Sequence, residues 1–239
     1  MISCVLFSAM VLQPVANPVV YQAYGAMENA RVTETEGVIQ YRLDYQPGTL
    51  PPDAALAGMF HWFRRCRELE LIGRIPDRYA GAAYGNISIR VRRGFVISGT
   101  QTGGRAALTP DDLAWVLDFD VAKNQLTAAG PSRPSSEAMT HGQVYRRLAA
   151  IDAVIHIHSP CIWQQAQVLH LPMTAPFARY GTPQMAQEVE RLLMLDPGAT
   201  QGVFVMGGHE DGVVSYASGI DTAGELLLAL QARAQQSTN

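Results

Sequence analysis

The sequence predicts an α/β domain in which a mixed, largely antiparallel sheet lies between helices. Three observations lead there. Stretches with apolar residues at helical spacing are interleaved along the chain with short alternating or continuous apolar runs typical of strands. Several of those runs are joined by tight turns, which implies hairpins and therefore antiparallel pairs. The chain has 239 residues, 48% apolar and 16% charged, which suits one domain able to bury a core without a disulfide.

Residues 1–52 read as an N-terminal arm or extension, with turn signals at Gln46-Pro47-Gly48 and Pro51-Pro52, and residues 53–239 as the domain. Asp53 is placed as the N-cap of a helix through Met59, Phe60, Phe63, Cys66, Leu69 and Leu71 that ends near Gly73. Residues 86–91 alternate as a strand, and 94–98 follow after an Arg-rich turn. Residues 99–104 form a loop, and Thr109-Pro110-Asp111-Asp112 opens a short helix. Residues 116–121 and 125–128 read as an edge hairpin. Ser135 or Ser136 is placed as the cap of a helix reaching Ala149, and residues 153–158 form the next strand. Pro160 starts a helix to about Leu169, and a further helix runs from Thr182 to about Leu195. Strands at 203–206 and 213–216 flank a turn at 207–212, and Asp221 caps a terminal helix to about Arg233.

The bulk properties exclude several classes of function. A net charge of −3 does not call for nucleic acid or an anionic membrane as partner. Cys4, Cys66 and Cys161 are scattered and odd in number, with no CxxC. A disulfide framework and a cysteine zinc site are not expected, and a reducing, cytoplasmic setting fits best. The apolar run at residues 4–12 has no Lys or Arg before Arg31 and is too short to span a bilayer, so a secretion signal is not expected. An extension, a docking strand, or a true start at Met27 remain the readings of this region.

The chemistry centres on His156-Ile157-His158, at the end of the apolar run Ala153-Val154-Ile155. Residues two apart on a strand share a face, so both imidazoles project together as a pair of candidate metal ligands. Two core histidines are the plainer alternative. His209, in the Gly-rich turn at 207–212, offers a third nitrogen and a three-ligand site with an open position. Glu137 follows Pro134-Ser135-Ser136 and is the candidate acid/base; a capping or solvated helix residue is its plainer reading. Ser135 and Ser136 at a helix N-terminus, Asn86 after Gly85, and the 98–104 loop supply neutral donors for an anion, without a P-loop pattern. His61 and His170 read as structural. His141 shares the helix face of Glu137 and reads as a surface histidine, a supporting role being the alternative.

Gly85-Asn86-Ile87-Ser88-x-Arg90, Ile97-Ser98-Gly99-Thr100-Gln101-Thr102-Gly103 and Leu108-Thr109-Pro110-Asp111-Asp112-Leu113 are followed by Pro134-Ser135-Ser136-Glu137, His156-x-His158 and the 209–216 segment. In this order the blocks resemble the class II aldolase/adducin family, which includes fuculose-phosphate and ribulose-phosphate aldolases. The resemblance covers about residues 53–235. It implies a three-layer α/β/α sandwich, assembled as a homo-oligomer, with a tetramer favoured and sites near subunit interfaces. It implies Zn2+, or another divalent metal, at His156, His158 and His209, with Glu137 as acid/base. Asn86, Thr102, Gly103, Ser135 and Ser136 would hold the substrate's phosphate. Two departures bear on this. The family's third histidine stands directly before a glycine, where this chain has Asp211; His209 is favoured as ligand, with Asp211 as the alternative. The 98–104 loop has no Lys, and Arg105 lies just past it, so the substrate anion could be a carboxylate instead.

The expected activity is that of a metal-dependent aldolase-type lyase, making or breaking a C–C bond in a sugar-phosphate-like hydroxy-ketone through a zinc-stabilised enediolate. A dehydratase, epimerase or decarboxylase would use the same site. A non-catalytic adducin-like scaffold is the reading from another class, and it would be expected to have lost the metal ligands.

Overall fold

The structure is a computed structural model and describes residues 38–236. The apolar run at 4–12 and the alternative start at Met27 lie outside the described residues.

Eight strands form one sheet: β1 (Arg42–Pro47), β4 (Asn86–Arg90), β5 (Phe95–Ser98), β6 (Leu113–Asp120), β7 (Gln125–Gly130), β8 (Ala153–His158), β9 (Gln201–Val205) and β10 (Gly212–Ala217). Their spatial order is β1-β7-β6-β5-β4-β8-β10-β9. Only β1 and β7 pair in parallel; every other neighbouring pair is antiparallel. A small separate ladder joins β2 (Gly73–Arg74) to β3 (Ala83–Tyr84). Among the described residues, five α-helices cover the large sheet: α1 (Leu56–Glu68), α2 (Ala138–Arg147), α3 (Pro160–Gln164), α4 (Pro183–Leu193) and α5 (Ile220–Gln236). Met139, Val144, Met185 and Val189 from α2 and α4 pack in one apolar cluster on one face. Met59, Phe63, Ile162, Leu227 and Leu230 from α1, α3 and α5 pack in a second cluster on the other. The result is the expected α/β/α sandwich with a mixed, largely antiparallel sheet.

The two-residue period of the strands decides which side chains reach which layer. On β8, Ala153, Ile155 and Ile157 belong to the α1/α3/α5 cluster, whereas Val154 belongs to the α2/α4 cluster. His156 and His158 are in phase with Val154 and so face α2. On β4, Ile87 and Ile89 join the first of these layers. Asn86, Ser88 and Arg90 point to α2, where all three make hydrogen bonds. The alternation of β4 therefore separates an apolar core face from a polar core face, not core from solvent.

Several element boundaries differ from the sequence expectation. Strand β1 falls within the stretch read as an arm and is the outermost strand, so the 113–130 hairpin lies inside the sheet and not at its edge. Ile39, Tyr41, Leu43 and Tyr45 alternate onto the α2/α4 cluster, which gives β1 its reason to pair. Asp53 does not cap α1: its carboxylate accepts the Arg92 N–H at 2.8 Å, and the N-cap is Ala55. Asp221 lies inside the first turn of α5 and accepts the Trp62 indole N–H at 2.7 Å, tying α5 to α1. The short helix after Thr109 is a single 3-10 turn, Pro110–Asp112, closed by a capping box between Thr109 and Asp112. Helix α3 stops at Gln164, and turns occupy 165–170. Thr182 caps α4, its hydroxyl accepting the Met185 N–H.

Candidate active site

Three segments meet at the end of β8. The first is β8 itself, with His156 opposite Asn86 of β4 and Val214 of β10, and His158 opposite Gly212. The second is the 206–212 turn between β9 and β10. It is closed by Met206 N–H to Gly212 O at 2.9 Å, His209 N–H to Met206 O at 3.1 Å and Gly212 N–H to His209 O at 3.0 Å. The third is the entry to α2. Glu137 stands at the N-cap position there, and neither Ser135 nor Ser136 caps the helix; Ser135 Oγ instead accepts the Glu137 N–H at 3.3 Å.

These segments bring His156, His158 and His209 together with ring centroids 5.0, 4.7 and 5.5 Å apart. One ligand nitrogen from each lies within 4.8 Å of the others. Glu137 closes the cluster, with Oε2 2.8 Å from His156 Nε2 and Oε1 3.4 Å from His209 Nε2. The Asn86 amide donates to Glu137 Oε2 at 2.7 Å. All five residues are buried.

The donor set suits a divalent cation. The His156 Nδ1 faces the Val213 carbonyl at 3.2 Å, and a carbonyl can only accept, so the proton belongs on Nδ1. In the neutral ring Nε2 is then an acceptor, 2.8 Å from a carboxylate oxygen that also only accepts. Two acceptors at that separation require a proton or a cation beside them. Burial holds His158 well below the ordinary imidazole range, helped by His209, His156 and Arg78, so its ring stays neutral, as a metal ligand must. Burial alone would raise the Glu137 carboxyl. When His156 and His209 carry a proton in place of a cation, their charges, with hydrogen bonds from His156 and Asn86, outweigh burial and lower the group. A divalent cation among the imidazoles would act on Glu137 in the same sense.

Beside Asn86 lies a hollow lined by Gly85, Gly99, Thr100, Gln101, Ser135 and Ser136, together with Ala83 and Gly103. No charged side chain lines it. Gly103 is required there by close packing, since a Cβ would come within 2.9 Å of the Gly73 carbonyl oxygen. Thr102, also expected to hold the anion, turns its hydroxyl to the Gly99 carbonyl at 2.7 Å and braces the loop. Asp211 is directed away from the three imidazoles. Its carboxylate accepts the Tyr79 hydroxyl at 2.6 Å and lies 3.6 Å from Arg78 Nη2.

The expectation of a surface position for His141 is overturned: it is fully buried, with Nδ1 2.7 Å from Ser88 Oγ, which in turn lies 2.8 Å from the Tyr145 hydroxyl. Helix α2 is buried from Ala138 to Tyr145 because the sheet covers one side and α4 packs on another. Burial depresses His141 to about 3, so it stays neutral. Two further residues near the site escape the sequence reading. The Tyr41 phenol donates to the Ser135 carbonyl at 2.7 Å. Its period-two pattern with Ile39, Leu43 and Tyr45 was the available signal, masked by the prolines that follow. Tyr79, from a short loop between β2 and β3, had no signal.

A family model described as the class II aldolase and adducin N-terminal domain matches residues 76–238. The chain belongs to the class II aldolase and adducin family. Family relatives include methylthioribulose-1-phosphate dehydratase of Xanthomonas oryzae pv. oryzae, 36% identical over 97 residues, or 39% of this chain and 37% of that protein. The enzyme of the same name from Stenotrophomonas maltophilia is also 36% identical over 97 residues, covering 39% of each chain. The chain thus matches under two-fifths of the length of these curated relatives. Among solved structures, L-fuculose-1-phosphate aldolase from Thermus thermophilus superposes with a TM-score of 0.56 at 22% identity, over 76% of this chain and 91% of that one. This likeness establishes the family fold. No helix among the described residues is long and apolar enough to cross a membrane.

Proposed function

We propose that this protein is a metal-dependent lyase acting on a small hydroxy-ketone that carries a phosphate or carboxylate. The observation that carries the reading is the convergence of Glu137 on His156, His158 and His209 beside an uncharged, donor-lined hollow. His156, His158 and His209 are the proposed ligands of zinc or another divalent ion. His209 is preferred to Asp211 because the Asp211 carboxylate is engaged by Tyr79 and Arg78.

A divalent cation held there supplies Lewis acidity toward adjacent carbonyl and hydroxyl oxygens. The protein's own groups do the rest. Glu137 Oε2 accepts from Asn86 and lies 2.8 Å from His156 Nε2, whereas Oε1 accepts no hydrogen bond and lies 3.4 Å from His209 Nε2. Oε1 is therefore the atom placed to take a proton from the substrate and return it. Asn86 fixes the carboxylate's orientation and also lines the hollow, so the anion site and the acid/base share one anchor. The Ser135 and Ser136 hydroxyls and the Gln101 side-chain amide line the hollow as neutral donors for the substrate's anion, and the α2 N-terminus adds a favourable dipole. Aldol cleavage or formation of a C–C bond is the first reading. Dehydration is the second, favoured by the 36% identity to two methylthioribulose-1-phosphate dehydratases. Both need the same proton transfer, and they differ in the bond that breaks next. A scaffold role is disfavoured because three imidazoles and the carboxylate are all retained. A cytoplasmic homo-oligomer, with a tetramer favoured, completes the reading; its mass in solution is measured by sedimentation.

The test is metal analysis of protein purified without chelator, with a turnover screen of ketose phosphates against hydroxy and aromatic acids. About one divalent ion per chain and chelator-sensitive turnover are expected, with Glu137→Gln keeping the ion and losing turnover. Two carbonyl fragments identify an aldolase, and loss of water identifies a dehydratase. Negligible metal, unaffected by His156→Ala, overturns the reading.

A further inference from the structure

We propose that Tyr79 is a positioning residue for the three-histidine centre: its phenol holds the Asp211 carboxylate, which fixes the turn carrying His209 and keeps that carboxylate off the cation. The inference rests on the reading of His156, His158 and His209 as a cation site.

The Tyr79 hydroxyl donates to Asp211 Oδ2 at 2.6 Å and accepts from Arg78 Nη2 at 2.6 Å. Arg78 Nη2 is also 3.6 Å from that same carboxylate oxygen, so the three groups close a charge-assisted triangle. The Tyr79 ring meets His158 edge-on, with centroids 4.6 Å apart. Tyr84 packs on His158 from a second direction at 5.2 Å, and the Arg78 guanidinium lies over both tyrosine rings. One side chain thus touches one candidate ligand through its ring and the turn of another through its hydroxyl.

The backbone around both partners is unusual. Tyr79, Ala80 and Gly81 have φ of +50°, +53° and +73°, three consecutive residues in the left-handed region, two of them bearing a Cβ. Such a run persists only where its surroundings over-determine it. Here it is held by Gly81 N–H to Arg78 O, Ala82 N–H to Tyr79 O and Arg74 Nε–H to Gly81 O. Asp211 is left-handed too, at φ +64°, and its carbonyl accepts the Ser159 N–H at 2.8 Å, one residue past His158. The 206–212 turn is therefore pinned to β8 through its backbone and to the Tyr79 loop through the Asp211 side chain. Released from Tyr79, the Asp211 carboxylate would stand two residues from His209, as a competent oxygen ligand for a divalent ion. The latch keeps the donor set at three nitrogens.

The experiment uses the full chain stripped of metal, comparing wild type, Tyr79→Phe, Asp211→Asn and the double variant. Zn2+ affinity is measured by competition with a chromophoric chelator, and Co2+ is added to read the d–d absorption of the site. Tyr79→Phe keeps the ring on His158 and removes only the hydroxyl. It is expected to weaken Zn2+ binding about 10-fold and to change the Co2+ spectrum, as Asp211 becomes available. Asp211→Asn should weaken binding by a similar factor, and the double variant should be no weaker than either single one. A merely structural role would lower the thermal midpoint of the apoprotein but leave the Co2+ spectrum unchanged. The proposal is overturned if wild type takes up one Zn2+ and Tyr79→Phe matches it in affinity and spectrum, or if the two substitutions add. If Tyr79→Phe does not fold, Asp211→Asn decides by Zn2+ affinity alone: a loss of about 10-fold supports the latch, and wild-type affinity overturns it. If wild type itself takes up no Zn2+ or Co2+, the cation-site reading fails, and this inference fails with it.

Discussion

The side-chain amide of Asn86 donates to Glu137 Oε2 at 2.7 Å, linking β4 to the N-cap residue of α2 inside the core. A hydrogen bond to a buried charge is worth about 1.5–3 kcal/mol. Asn86→Ala should therefore lower kcat/KM by roughly 10- to 150-fold on that energy scale. Asn86→Asp should do more, because two carboxylates in contact cannot both ionise easily. Its pH–rate profile should show the acidic limb displaced to higher pH. Steady-state kinetics across pH checks both, and an unmoved acidic limb in Asn86→Asp would remove Asn86 from contact with the acid/base.

The hollow beside Asn86 predicts a separation of binding from chemistry. Ser136→Ala removes one neutral donor from the lining while leaving Glu137 and the imidazoles in place. It should raise KM for an anionic substrate several-fold, about the worth of one hydrogen bond, with kcat nearly unchanged. Inorganic phosphate should compete with substrate in wild type and compete less well in the variant. Equal inhibition constants in the two proteins would place the anion elsewhere.

His209 and Asp211 give opposite expectations. His209→Ala should reduce bound zinc well below one equivalent after dialysis. Asp211→Ala should retain zinc, though more weakly, because its carboxylate serves the Tyr79 hydroxyl and lies near Arg78. Metal content after dialysis against a weak chelator distinguishes them. The reverse order would make Asp211 the third ligand.

His141 predicts a pH dependence of stability in the apoprotein. Its folded pKa, depressed by burial to about 3, lies below the unfolded value near 6.5. Between those limits the unfolded chain binds a proton that the fold refuses. The His141 contribution is therefore fully present above about pH 6.5 and is lost as pH falls toward about 3. Denaturant titrations from pH 7 to 4 should show unfolding free energy falling by up to about 1.4 kcal/mol per pH unit from this residue. His141→Gln should flatten that part of the slope even if it lowers stability throughout. An unchanged slope would mean that His141 is not buried as a neutral ring.

Much of the site was legible because its residues lie in short-range patterns. His156 and His158 share a face by the period of a strand alone, and the polar cluster around Glu137 lies within four residues. The chain order of the blocks, from Gly85-Asn86 to His209, pointed to the family later established by the match over residues 76–238. The sandwich was legible for the same reason, since apolar stripes on helices and runs on strands are local. The misreadings concern residues whose surroundings come from far along the chain. His141 read as exposed from its place on the Glu137 face of α2, yet it is buried there against the sheet, with Ser88 of β4 meeting its ring. The alternation at Ile39, Tyr41, Leu43 and Tyr45 was hidden by the prolines after it, and only the open edge of β7 gave it a partner.

The sequence by itself determined the class of fold, the pairing of His156 with His158, and a carboxylate and neutral donors suited to proton transfer beside an anion. These follow from residue type and a period of two to four positions. Only the tertiary structure decided that Glu137 faces the imidazoles and that Asp211 turns from them toward Tyr79. Such choices depend on contacts such as Tyr79 with Asp211, 132 residues apart, and on backbone dihedrals set by packing. Spacing along a chain carries no information about either.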